Sequence, residues 1–115
     1  MVTLLCRDRH GPAVRFQALA YPVTDHWQAG RASYDQYVEG YTLSGLPATL
    51  IITAEFDPLR DEGRAYAERL RAAGVAVEHL HLGDQMHGLL LQEANVNRAH
   101  GAVDRFADAL RRGLA

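Results

Sequence analysis

Cysteine, serine, long apolar runs and an excess of either charge are all scarce here, and each scarcity excludes something. One cysteine, Cys6, stands in 115 residues, so neither an internal disulfide nor a cysteine-based zinc site can be built. Its plain reading is a small apolar residue at the end of a helix. No apolar stretch approaches the roughly 20 residues that a membrane span needs. The opening Met1-Val2-Thr3-Leu4-Leu5-Cys6-Arg7 meets charge too early for a secretory signal, which predicts a cytoplasmic location. Net charge is only −2, with the signs interspersed, so neither a nucleic-acid footprint nor a polybasic membrane anchor is expected. The only serines are Ser33 and Ser44. What remains is 48% apolar and 23% charged, the balance of a globular chain, and the length predicts a single domain over residues 1–115.

Three stretches read as strands. Val14 to Tyr21 alternates, turns apolar and stops at Pro22. Ala48 to Ala54 is a β-branched apolar run of the kind buried on both faces of a parallel sheet. Val75 to Leu82 sets Val75, Val77, His79 and His81 against Ala76, Glu78, Leu80 and Leu82, and Glu78 places this strand toward an edge. Helices fill the intervals. Tyr34, Tyr37, Val38 and Tyr41 form an apolar stripe on a short helix from near Ser33. A second helix is expected from Pro58 to Ala73, with Asp57 as N-cap, acids Asp61 and Glu62 in its first turns and Gly74 at its close. Val96, Ala99, Val103, Phe106, Leu110 and Leu114 mark a third, amphipathic to the C-terminus. The order β-α-β-α-β-α predicts an α/β fold, a small parallel sheet of about three strands covered by helices.

In such sheets reacting groups gather at the carboxyl ends of the strands. Asp57 follows the second strand, and His87 lies in the short polar loop Gly83 to Gly88 after the third. A carboxylate accepting from imidazole Nδ1–H would leave Nε2 free to take a proton from a nucleophile. Asp57 before Pro58 is equally what an ordinary helix cap looks like, and His87 alone reads as a surface residue. His79 and His81, two apart on one strand face, lack a third ligand, so a solvated face is favoured over a metal site. His10, His26 and His100 have no visible partners. No cofactor and no metal are expected.

The segment Leu46-Pro47-Ala48-Thr49-Leu50-Ile51-Ile52-Thr53-Ala54-Glu55-Phe56-Asp57-Pro58-Leu59-Arg60-Asp61-Glu62-Gly63 resembles the acid-bearing segment of hormone-sensitive-lipase-like carboxylesterases of the α/β-hydrolase superfamily. Tyr66 to Val75 and Gln85-Met86-His87-Gly88 continue the match in order. So do Phe16-Gln17, Tyr21-Pro22-Val23-Thr24-Asp25, Ser33-Tyr34 and Glu39-Gly40-Tyr41 upstream. The resemblance implies the C-terminal portion of an α/β-hydrolase domain, an esterase or lipase acting on small-molecule esters, with Asp57 as triad acid and His87 as general base. Two features depart from it. The family's G-x-S-x-G elbow and HGGG-type oxyanion loop do not occur in these residues, so no nucleophile is assigned. Only Ser44-Gly45 stands where the family carries a further helix and loop before Leu46-Pro47. The expectation is therefore weak or no hydrolysis by the chain alone. The alternative is a non-catalytic piece that forms a homodimer, or pairs with another chain, through a sheet edge near Phe16 to Tyr21.

Overall fold

The computed structural model describes residues 2–24, 42–88 and 97–115. Within them the order is α1 (Val2–Asp8), β1 (Phe16–Ala20), β2 (Ala48–Phe56), α2 (Arg60–Ala72), β3 (Val77–Met86) and α3 (Asn97–Leu114). The helix expected near Ser33, with Tyr34, Tyr37, Val38 and Tyr41, lies outside the described residues, as do His26 and Val96. The strands form one parallel sheet in the order β1-β2-β3, as the crossover lengths imply.

β2 is central because its side chains are apolar or small on both faces, and six consecutive positions from Thr49 to Ala54 are buried. On one face Leu50, Ile52 and Ala54 pack with Tyr21 and with Phe106 and Ala109 of α3. On the other, Ile51 meets Ala67 and Leu70 of α2, together with Leu46, Val75 and Leu4 of α1. Among the described residues β3 is an edge strand, and its Glu78 accepts from Arg112 of α3 at 2.9 Å.

β1 is shorter than expected at both ends, β2 runs on to Phe56 and β3 starts at Val77; two further differences bear on the site and have identifiable reasons. β3 continues to Met86, so Gly83 to Met86 is strand and not loop. An irregularity makes this possible: Ala54 pairs with Leu82 but Phe56 pairs with Met86, so β3 takes four steps while β2 takes two. The second helix begins at Arg60 and not at Pro58. Asp57 is therefore not its N-cap; that position is Leu59, at φ −90° and ψ 1°, with no side-chain cap. Asp57-Pro58-Leu59-Arg60 is instead a type I turn, closed by Arg60 N–H donating to Asp57 C=O at 3.0 Å. Gly74 closes α2 as expected, at φ +80°, with Val75 N–H donating to Leu70 C=O and Gly74 N–H to Arg71 C=O.

Close packing of α2 on the sheet rests on Gly63. A Cβ there would stand 2.7 Å from Cγ2 of Thr53. Thr53 cannot turn away, because its Oγ1 lies 2.8 Å from His79 Nε2 and 3.0 Å from His81 Nδ1.

Candidate active site

Asp57 and His87 each stand one residue beyond the last paired residues, Phe56 and Met86. The two extra steps in β3 carry His87 level with Asp57, and His87 N–H extends the ladder to Phe56 C=O at 3.4 Å. In the register that β2 and β3 keep up to Ala54, Asp57 would instead have stood beside Gln85. The side chains meet as a result: His87 Nδ1 is 3.0 Å from Asp57 Oδ2. A carboxylate can only accept, so Nδ1 carries the hydrogen and donates it, leaving Nε2 with its lone pair.

Asp57 serves two partners at once. Its Oδ1 accepts Leu59 N–H at 2.8 Å while Oδ2 accepts from His87. The turn and the imidazole therefore do not compete for it. The carboxylate side chain is 1% exposed and the imidazole 51%. A buried carboxylate satisfied by two donors holds one orientation, whereas the imidazole keeps a face open to incoming groups. Glu55 braces the turn from the preceding strand, its Oε1 accepting from Arg60 Nη1 at 2.8 Å.

The ring of His87 has a second neighbour. Tyr21, the residue after β1, lies with its ring centroid 4.9 Å from the imidazole centroid at an interplanar angle of 43°. Tyr21 is buried and sits at φ +52°, a left-handed conformation that costs a non-glycine residue about 1–3 kcal/mol. The following Pro22 restricts it further. Its N–H still donates to Ile52 C=O at 2.9 Å. Beyond it, Thr24 Oγ1 donates to Glu62 C=O at 3.2 Å and Thr24 N–H to the Glu62 carboxylate, which ties this loop to α2. Sequence reasoning passed over Tyr21; an aromatic held between an apolar run and a proline was the available signal.

His79 and His81 do not form a solvated face. Both are half-buried under α2 and are linked through Thr53 of β2. Glu55 Oε2 lies 3.0 Å from His81 Nε2, and Arg64 Nη2 lies 3.2 Å from the same nitrogen. Thr53 Oγ1 joins the two rings, 3.0 Å from His81 Nδ1 and 2.8 Å from His79 Nε2. Burial, followed by the charges of Arg71, His81 and Arg64, holds the His79 pKa below its ordinary value, against a smaller opposing effect of Glu68. Among the described residues no group of three or more His, Cys, Asp or Glu is placed to hold a metal ion.

Two groups that could serve as nucleophiles, the Cys6 thiol and the Ser44 hydroxyl, lie away from His87. Cys6, with Leu46, Pro47 and Val14, lines a cavity of about 320 Å³ before the amino ends of β1 and β2, the opposite edge from His87. Ser44 is exposed in the turn beside that cavity, its Oγ 3.2 Å from Thr42 Oγ1. Ser33 lies outside the described residues.

Comparison with known proteins identifies the family. The sequence profile of the α/β-hydrolase fold family matches residues 31–91, which include both Asp57 and His87. Carboxylesterase NlhH of Mycobacterium tuberculosis is 35% identical over 144 residues, covering 96% of this chain and 45% of that protein. The chain belongs to the α/β-hydrolase carboxylesterase family. Carboxylic ester hydrolase LipN of the same organism is 59% identical over 49 residues, 43% of this chain and 13% of that one. Among solved structures, the thermophilic carboxylesterase EstE1 from a metagenomic library superposes with a TM-score of 0.84 at 27% identity, over 99% of this chain and 50% of its own. The chain thus spans about half the length of the relatives that match it throughout. The NlhH match extends over more residues than this chain possesses, so that relative carries residues within the span that this chain lacks. No helix among the described residues is long and apolar enough to cross a membrane.

Proposed function

We propose that this chain supplies the acid and the general base of a serine carboxylesterase, acting on carboxylic esters, with Asp57 as acid and His87 as base. The supporting observation is the bond from His87 Nδ1–H to a buried Asp57 carboxylate at 3.0 Å, with the imidazole half-exposed at the carboxyl edge of the sheet. Asp57 fixes the tautomer and stabilises the imidazolium, and Nε2 takes the proton of an attacking hydroxyl and later returns it to the leaving alcohol. The 115 residues hold no G-x-S-x-G, so in this reading the nucleophile and the oxyanion donors come from a segment outside them. Without both, the pair has only water to activate, and His87-dependent hydrolysis by the chain alone is expected to be weak or absent. The cytoplasm is the proposed setting.

The test joins to this chain the part of carboxylesterase NlhH that its match with this chain leaves uncovered, and follows p-nitrophenyl butyrate hydrolysis. A folded chimera should turn over the ester and lose activity about 10⁴-fold on Asp57→Asn and up to about 10⁶-fold on His87→Ala. Activity that survives both substitutions would refute the assigned roles. His87-dependent turnover by the unjoined chain at the rate of the chimera would refute the separate nucleophile.

A second proposal concerns β1. It has one strand neighbour among the described residues, and its other edge offers unpaired backbone groups from Phe16 to Ala20. We infer that a second copy or another chain pairs there. A monomer by light scattering at high concentration would contradict self-pairing.

A further inference from the structure

We infer that Tyr21 is a positioning residue for His87: its ring is the second wall, after the Asp57 carboxylate, that holds the imidazole in its working orientation. The inference rests on the acid–base reading of Asp57 and His87 and extends it to a residue on a different strand.

A single hydrogen bond does not immobilise an imidazole. The bond from Nδ1–H to Asp57 Oδ2 leaves the ring able to swing about the line between the two atoms, and half of the side chain is open to water. A wall on the ring face removes that freedom, and Tyr21 is the wall present, centroid to centroid 4.9 Å. Tyr21 can act so because it cannot itself move. It is packed with Leu50, Ile52, Ala54 and Ala109, and its N–H is bonded to Ile52 C=O. Rigid support from a packed element is what a catalytic side chain on a half-exposed turn requires.

The backbone at Tyr21 points the same way. A left-handed tyrosine followed by proline is a conformation that local preferences oppose twice. Strain of this kind persists where the surroundings impose it, and it gathers at functional sites. Here the surroundings are visible: the ladder bond to Ile52 holds one side, and the clasp of Thr24 on Glu62 draws the chain toward α2 on the other. Between these fixed points the left-handed turn sets the ring 4.9 Å from that of His87, tilted by 43°. Glycine would relieve the backbone and leave no ring; an extended residue would send the ring elsewhere.

The test needs no ester and so stands apart from the esterase reading. In the isotopically labelled 115-residue chain, NMR reports the His87 tautomer and the exchange rate of its Nδ1–H with water. Amide dispersion shows that each variant is folded. Tyr21→Phe keeps the ring and should hold the Nδ1–H exchange rate and the tautomer as in the parent. Tyr21→Leu removes the aromatic face and should speed exchange about tenfold, with mixed tautomers. Tyr21→Met takes its place should the leucine variant not fold. The parent chain carries a check of its own: one His87 χ1 rotamer, with cross-relaxation between the two rings. A folded Leu or Met variant with parent-like exchange, a Phe variant as impaired as Leu, or an averaged His87 rotamer in the parent would each overturn the inference. Asp57→Asn separates the two readings. If it leaves the tautomer unchanged, the acid–base pair fails; if only the Tyr21 series is silent, the wall fails.

Discussion

Gly63→Ala is a substitution for which helix propensity and packing predict opposite signs. An alanine inside α2 gains about 1 kcal/mol over glycine in helix propensity. Its Cβ, however, would lie 2.7 Å from Cγ2 of Thr53, a side chain that is 1% exposed and anchored through Oγ1 to two imidazoles. Overpacking of this kind costs about 1–3 kcal/mol. The net expectation is a loss of up to about 2 kcal/mol, set by the difference of the two terms. Thr53→Ser removes the obstructing methyl and keeps the hydroxyl; it should itself cost about 0.8 kcal/mol, the value of one buried methylene-sized group. In the serine background Gly63→Ala should become neutral or stabilising. Urea unfolding followed by far-UV circular dichroism on all four chains gives the coupling energy, expected at about 1–3 kcal/mol. Equal effects of Gly63→Ala in both backgrounds would refute the proposed contact between α2 and β2.

Two further predictions concern charge and the alternative nucleophiles. The folded-state pKa of His79 lies below 6.5, so between the folded and unfolded values the unfolded chain binds more protons. The stability that this contributes is present above about pH 6.5 and is lost as pH falls through the folded value. Urea midpoints should therefore decline on acidification less steeply for His79→Asn than for the parent, and parallel profiles would contradict the burial of the neutral imidazole. Ser44→Ala and Cys6→Ser lie at the opposite sheet edge from His87, and hydrolysis by the NlhH chimera should be unchanged by either. A large loss from one of them would place a nucleophile where the structure has none near the base.

The legible part of this protein was the part written in side-chain period and composition. Ala48 to Ala54 reads as a doubly buried strand because its apolar run admits no wet face, and its neighbours follow from crossover length. Asp57 and His87 were legible as residue types at strand ends. Their meeting depended on something composition does not encode, the irregularity opposite Ala54 and Phe56 that lets β3 run through Gly83 and brings residue 87 level with residue 57. The cap reading of Asp57 failed for a related reason. Asp-Pro can open a helix or a type I turn, and here the turn holds residues 57–60 before α2 starts, so both carboxylate oxygens are used and no choice between cap and triad arises. His79 and His81 alternate like solvent-facing residues, but Thr53 on the neighbouring strand and α2 above make that face a half-buried polar cluster.

The central claim is that Asp57 holds His87 as a base with Nε2 unprotonated and available. Long-range ¹⁵N–¹H NMR of the histidine rings, at about pH 9 where a free imidazole is neutral, tests it most directly. The account predicts that His87 carries its hydrogen on Nδ1 in the parent chain, and that Asp57→Asn shifts it substantially to Nε2. A His87 that is Nε2–H in the parent, or that is indifferent to Asp57→Asn, would contradict the account.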